Sequence, residues 1–188
     1  MANLKHNNQV RIIGGVCRGR KLAFAPAEGL RPTPDSVREK LFNWLGQDLT
    51  GLIVLDLFSG SGALGLEAAS RNAAKVIMVD NQHRTGKFLL ENIKTLKLTQ
   101  VEVVVSDGLS YLLNTNETFD VVFLDPPFQW QEWGKLFGIL KKNLKNNAMV
   151  YVEAGRLPSK PAWLEPYREG KAGMSKFELL HYTQTSES

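Results

Sequence analysis

Residues 54–67 read VLDLFSGSGALGLE, and the architecture of the chain turns on what this stretch is. An apolar run ends in an acid, Asp56; Leu57, Phe58 and Ser59 intervene; Gly60, Gly62 and Gly65 follow, and a helix-forming run takes over. G-x-G-x-x-G between a strand and a helix, with Asp80 closing the next strand 20 residues beyond Gly60, is the pattern of a nucleotide-binding β-α-β unit. In a dinucleotide site, however, the first glycine turns the chain straight out of the strand and seats a pyrophosphate on the helix N-terminus. Here a carboxylate faces the loop, which repels a pyrophosphate and favours a cation. S-adenosylmethionine carries an ammonium and a sulfonium and no phosphate, so D-x-F-x-G-x-G fits it better. Asp80 is then placed for the ribose hydroxyls. Asp107, after VEVVVS, is placed for the adenine amino group. Asp80 and Asp107 could each instead cap the helix that follows.

Outward from this loop the chain alternates. LIVLDLF, KVIMVD, VEVVVSD, VVFLD and AMVYVEA read as strands. ALGLEAASR, GKFLLENIKTLK (with Phe88, Ile93 and Leu96 on one face), GLSYLL and EWGKLFGILKKNL read as helices. Strict alternation argues for a parallel sheet covered by helices on both faces. After the proline-dotted RLPSKPAWLEP, the segments REGKAG and SKFELLHYT read as a closing antiparallel pair. Before the alternation, VRIIGG and RKLAFA around VCRG form a hairpin signal punctuated by Gly14, Gly15 and Gly19. Thr33 is then expected to cap a helix with Pro34 at its first position and Val37, Leu41, Trp44 and Leu45 on one face.

Composition narrows the class. The chain has 188 residues, 43% hydrophobic and 22% charged, as expected for one ordinary globular domain. No apolar run approaches a membrane span, and the opening MANLKHNNQVR has no apolar signal-peptide core. The single cysteine, Cys17, excludes an internal disulfide framework, and three scattered histidines offer no metal cluster; no metal is implied. The expectation is a cytoplasmic monomer. The net charge of +4 is uneven: residues 1–40 hold Lys5, Arg11, Arg18, Arg20, Lys21, Arg31, Arg38 and Lys40 against Glu28, Asp35 and Glu39. Such a segment fits a polyanionic partner or simply a solvated face.

Residues 121–130, VVFLDPPFQW, carry the second chemical signal. Pro126 and Pro127 remove two donors and fix two φ angles, so the strand stops and stiffens at Asp125. The carboxyl ends of strands are where ligands sit in open α/β sheets. An exocyclic base amine is a poor nucleophile because its lone pair is delocalised into the ring. A carboxylate (Asp125) and a carbonyl (Pro126) that accept its two N–H groups free that lone pair, and Phe128 is positioned to stack on the base. Methylation of a pyrimidine ring carbon would instead need a thiolate nearby. Cys17 lies far off in the sequence, so an amino acceptor is favoured.

In order and spacing, RIIGG, RGRKL, GLRPTPDSVREKLFNWL, VLDLFSGSGALGLEAASR and FLDPPF resemble the blocks of the RsmD-type bacterial methyltransferases, over nearly the whole chain. The resemblance implies an α/β class I S-adenosylmethionine-dependent methyltransferase, Rossmann-like, with a seven-stranded mostly parallel sheet whose last strand is inserted antiparallel. The sequence pattern itself divides the chain into a basic N-terminal β-hairpin extension, 1–34, and one domain, 35–188, which the resemblance makes the methyltransferase domain. The resemblance also implies transfer to the N2 amine of a guanine in 16S ribosomal RNA, within the small subunit or a late assembly intermediate. By position, Asp56 and the loop Phe58, Ser59, Gly60, Ser61, Gly62 and Ala63 hold the methionine end of the cofactor. Asp80 and Asn81 take the ribose, Asp107 and Gly108 the adenine edge, and Asp125, Pro126, Pro127 and Phe128 the target base. Arg11, Arg18, Arg20, Lys21 and Arg38 are expected to meet RNA phosphates as positioning contacts, with Arg31 and Thr33 lining the substrate entry. Two departures stand out: Asp80 where such enzymes often have Glu, and Ser36 where they commonly have Arg.

Three rival readings compete with this one. An adenine-N6 methyltransferase of DNA would share the [DN]-P-P-[FYW] clamp. A non-catalytic ribosome-assembly factor would have no physical reason to keep four acids at strand ends. A nicotinamide-dependent oxidoreductase would leave DPPF unexplained.

Overall fold

The computed structural model describes residues 8–26 and 32–184. Arg31 therefore lies outside the described residues. Seven strands form one sheet: β3 (Ile53–Asp56), β4 (Lys75–Asp80), β5 (Val101–Val105), β6 (Phe119–Leu124), β7 (Leu144–Ala154), β8 (Leu164–Ala172) and β9 (Ser175–Tyr182), in the spatial order β5-β4-β3-β6-β7-β9-β8. The first five in that order run parallel. β9 slots between β7 and β8 and runs antiparallel to both, so the last strand is the reversed one. The closing pair expected from the tail is present.

Helices cover both faces, which is why the central strands are continuously apolar. On one face lie α1 (Asp35–Leu45), α2 (Ala63–Ser70) and α3 (His83–Leu96), over a core that includes Phe42, Phe123, Tyr151 and Phe177. Phe123 meets Phe42 and Tyr151 edge-on at 6.0 and 6.3 Å. On the other face α4 (Gly108–Asn114) and α5 (Trp133–Leu140) cover Leu55, Ile77, Val122 and Val150. Each such side chain contributes about 1.5–3 kcal/mol by burial.

The N-terminal hairpin, β1 (Gln9–Arg11) with β2 (Lys21–Ala23), is shorter than its sequence signal and packs into the first core through Val10, Ile12, Cys17 and Leu22. It lies along α2. Glu67 accepts from Ile13 N at 2.9 Å and Gly14 N at 3.3 Å; Ser70 Oγ donates to Gly14 O at 2.6 Å and accepts from Cys17 N at 2.9 Å. Gly15 is required here, because it has φ +77° and a Cβ on it would come within 1.9 Å of Ser70 O.

Three expectations need correction. The N-cap of α1 is Pro34, not Thr33: Val37 N and Arg38 N bond to Pro34 O, while the Thr33 hydroxyl donates elsewhere, to Asp125 and Glu153. In α3 the residue turned into the core with Ile93 and Leu96 is Leu89 rather than its neighbour Phe88, since Leu89 stands four residues before Ile93 and Phe88 five. Arg38 is fully buried, its charge taken up by Glu67 and Asp35 and its remaining N–H groups by Thr33 O and Arg11 O. It is a structural cation and has no surface to offer a phosphate.

Candidate active site

Five adjacent strands, β5, β4, β3, β6 and β7, each deliver an acid to the carboxyl edge of the sheet: Asp107, Asp80, Asp56, Asp125 and Glu153. The glycine loop rises from the middle of this row. Ser59 N donates to Val79 O at 2.9 Å and Gly62 N to Ser59 O at 2.8 Å, while Gly60 and Gly62 take φ +50° and +84°. Gly62 also permits close packing, because a Cβ there would stand 2.7 Å from Leu89 Cδ2. The loop is tied sideways to β4 by Gly60 N donating to Asp80 Oδ2 at 3.0 Å.

Asp56 sits beneath the loop, 1% exposed, accepting from Gly65 N at 3.0 Å. Burial pushes its pKa up to about 7, against the opposing pull of that backbone bond, with the nearby Asp80 charge adding to the rise. A buried carboxyl this short of positive charge fits a cationic ligand head and disfavours a phosphate. Asp80 is half-buried, with Oδ1 accepting from Gln82 N at 3.0 Å. Asp107 does cap α4, through Oδ2 accepting from Ser110 N at 3.0 Å, but the residue is exposed and the cap engages that oxygen alone. Capping and ligand binding are therefore compatible there. Gly108 brings α4 against the loop: a Cβ would lie 3.2 Å from Leu57 Cγ. Asn81 is exposed beside Asp80.

The clamp follows β6. The Pro127 carbonyl accepts from Trp130 N at 2.9 Å, closing a tight turn that leaves the Pro126 carbonyl outside it. Asp125 lies in a cleft of about 280 Å³ lined also by Pro126, Phe128, Trp130, Trp133 and Glu153. Phe128 is 66% exposed with its ring against Gly155, where a Cβ would strike it at 2.3 Å. Phe58, Trp130, Trp133 and Phe137 continue as an aromatic ladder with centroid spacings of 5.2, 5.1 and 5.8 Å. This ladder joins the glycine loop to the cleft.

Within the cleft wall Thr33 Oγ1 lies 3.4 Å from Asp125 Oδ2 and 3.2 Å from Glu153 Oε2. Burial, and then the Glu153 charge, hold the Asp125 carboxyl well above the usual carboxylate range. The Tyr151 hydroxyl is buried without a hydrogen-bond partner among the described residues. Burial and the nearby Glu153 and Asp125 charges raise its pKa.

Among the basic residues expected to face RNA, Arg18, Arg20 and Lys21 are exposed, and Arg11 is exposed but ion-paired to Asp35 at 3.1 Å. Val16 N donates to Ser70 O, so the hairpin tip lies beside the C-terminal end of α2, a helix length from the glycine loop. Thr33 belongs to the clamp itself. Sequence reading missed Glu153, Trp130, Trp133 and Arg156. QWQEW shortly after DPPF was a usable signal for the aromatics; Glu153 joins the site only through the pairing of β7 with β6.

The reversed last strand, the glycine loop and the acid-tipped strands define a class I methyltransferase fold. The chain belongs to the family described as Conserved hypothetical protein 95, the RsmD family, whose model matches residues 10–181. It is 40% identical over 191 residues to the ribosomal RNA small subunit methyltransferase D of Escherichia coli strain K12, an alignment covering 99% of this chain and 96% of that one. The solved structure of the putative methyltransferase yhhF from Escherichia coli superposes with a TM-score of 0.85 at 41% identity, covering 94% of this chain and 99% of that one. An RNA methyltransferase from Salinibacter ruber in complex with S-adenosyl-L-homocysteine shares the fold at a TM-score of 0.60 and 19% identity, covering 84% and 98% of the two chains.

Proposed function

We propose that this protein transfers a methyl group from S-adenosylmethionine to the N2 amine of a guanine in 16S ribosomal RNA, acting in the cytoplasm on the small subunit or a late assembly intermediate. The observation that carries the reading is the placement of the Asp125–Pro126 clamp one strand from the Asp56 glycine loop, β3 and β6 being directly paired. When bound over Asp56, Asp80 and Asp107, the cofactor supplies a methyl on positively charged sulfur, so the amine lone pair forms the N–C bond as the C–S electron pair leaves with sulfur.

Asp125 and the Pro126 carbonyl accept the two N–H groups of the amine and turn its lone pair away from the ring. Phe128 and the neighbouring tryptophans offer faces for the base, worth about 1–3 kcal/mol per stacked base. After transfer, the surplus proton on nitrogen passes to the Asp125 carboxylate or to solvent. The exposed Arg18, Arg20 and Lys21 supply phosphate contacts that position the RNA.

The test is transfer of radiolabelled methyl to unmodified small-subunit particles, naked 16S RNA and duplex DNA. Label in the particles or the RNA supports the reading. Label in DNA alone favours the adenine-directed rival, and cofactor binding without transfer to any of the three favours an assembly role.

A further inference from the structure

We propose that Glu153 is the second acceptor for the target base: Asp125 takes an N2–H of guanine while Glu153 takes the neighbouring N1–H. The inference rests on the guanine-N2 reading and deepens it. Leu124 and Val152 are register partners on parallel strands, so Asp125 and Glu153 emerge side by side. Both reach the same hydroxyl, Thr33 Oγ1, and both line the same cleft. Glu153 is 6% exposed, and burying a second carboxylate beside the first disfavours the ionised pair unless donors arrive to meet it.

A guanine edge brings adjacent donors, N1–H and N2–H. An adenine edge sets the N1 lone pair beside its amine and would confront Glu153 with an acceptor. The carboxylate pair thus supplies the choice between bases that the DPPF motif alone does not make. Discrimination of about 10- to 100-fold is the usual yield of one such paired contact.

The groups facing Glu153 are Asp125 from β6, Tyr151 on its own strand and Thr33 before α1, with Arg156 lining the cleft as well and Asp56 on β3 acting on Asp125. The Glu153 charge is, after burial, the next cause that raises the pKa of the Asp125 carboxyl. Replacing Glu153 by Gln removes that charge. In wild type, kcat/KM should rise with pH as Asp125 ionises; in Glu153→Gln the acid limb should move to lower pH, with KM for the particles raised about tenfold and cofactor affinity unchanged. Glu153→Asp should recover part of the loss.

An acid limb and KM identical to wild type would overturn the role of Glu153. A wild-type product other than N2-methylguanosine would instead overturn the guanine reading beneath it. Should Glu153→Gln lose cofactor binding as well, Glu153→Ala is read by the same two criteria: an unshifted acid limb with an unchanged KM would overturn the proposal.

A separate observation concerns the β8–β9 turn. Lys171 and Lys176 are directly opposed across this antiparallel pair, both exposed, with no carboxylate within 4.0 Å among the described residues. Like charges opposed in this way weaken a hairpin. Lys176 pairs with Ala154 at the carboxyl end of β7, and Ser175 and Arg156 line the cleft, so the turn stands at the mouth of the site. We infer that it forms a second RNA-facing wall, taking phosphates that flank the target base. The double variant Lys171→Glu/Lys176→Glu should raise KM for small-subunit particles about tenfold or more and reduce the logarithmic salt slope by about one to two. Unchanged KM and slope, with cofactor affinity intact, would overturn it. If that variant fails to bind cofactor, the milder Lys171→Gln/Lys176→Gln pair is read by the same two criteria.

Discussion

Glu67 and Arg38 meet as an ion pair with neither side chain exposed, Arg38 Nη1 lying 3.4 Å from Glu67 Oε1. Burial lowers the pKa of the arginine and raises that of the glutamate, so desolvation outweighs their attraction in each case. What keeps the pair in place is the company it holds: Glu67 also receives Ile13 N and Gly14 N, and Arg38 reaches Arg11 O and Thr33 O. The pair fastens the basic hairpin, α1 and α2 to one another.

Removing Glu67 leaves the buried Arg38 with Asp35 as its one carboxylate among the described residues. Glu67→Ala is expected to destabilise the protein by about 3 kcal/mol, since it also takes the partner from Arg71 and leaves two part-buried N–H groups, of Ile13 and Gly14, unmet. Urea denaturation measures the loss, and hydrogen exchange at Ile13 and Gly14 should accelerate first. A loss under about 1 kcal/mol, the scale of an exposed pair, would mean that the network is dispensable.

Asp125→Ala should cut turnover by about 10²–10³-fold, the scale on which one preorganised polar contact acts in a transition state. Cofactor affinity should be nearly unchanged, because the glycine loop is tied to Asp80 and Asp56 rather than to Asp125. Parallel measurement of kcat and cofactor Kd checks this; equal losses in both would make Asp125 structural.

With its pKa pushed up to about 7, Asp56 should link cofactor binding to pH if it faces the cofactor's cationic end as proposed. A cationic ligand needs the ionised carboxylate, so below about pH 7 binding must expel a proton and Kd should weaken by about tenfold per unit of acidity. Above that pH it should level off. Asp56→Asn should bind more weakly at pH 8 and show no such slope. The linkage to folding has the opposite sense. The folded state holds this proton over a range where the unfolded chain, at about 3.8, has released it. Its stabilisation is full below about pH 4 and is lost as pH rises toward 7, so ligand-free wild type should lose Tm over that window relative to Asp56→Asn.

Arg18→Glu with Arg20→Glu should weaken binding to small-subunit RNA and flatten its salt dependence by about one unit of slope for each phosphate left without its cation. Both side chains are exposed and far from the cofactor loop, so kcat at saturating RNA should hold. Filter binding across a salt series reads the slope. An unaltered slope would move the RNA-facing surface off this hairpin.

Much of the site was legible because its acids stand where apolar runs stop. Asp56, Asp80, Asp107 and Asp125 each close a stretch that reads as a strand, and parallel topology then gathers such ends on one edge. Glu153 also closes a strand, yet its value depends on β7 lying beside β6, which no local pattern states. Arg38 misled for the same reason. On α1 it reads as a cation near other cations, and only the packing of α1 across α2 sets Glu67 opposite it. Thr33 looked like a helix cap because Ser and Thr often are; the fold uses its hydroxyl on two carboxyls instead. Local chemistry was readable, and the partners that folding brings from β7 and α2 were not.

Nucleoside analysis of small-subunit RNA methylated by the purified protein shows whether the Asp125 clamp presents a guanine amine to the methyl donor. N2-methylguanosine as the sole labelled nucleoside is the expected result. Label on the N6 amine of adenine, or on any ring carbon, would contradict it.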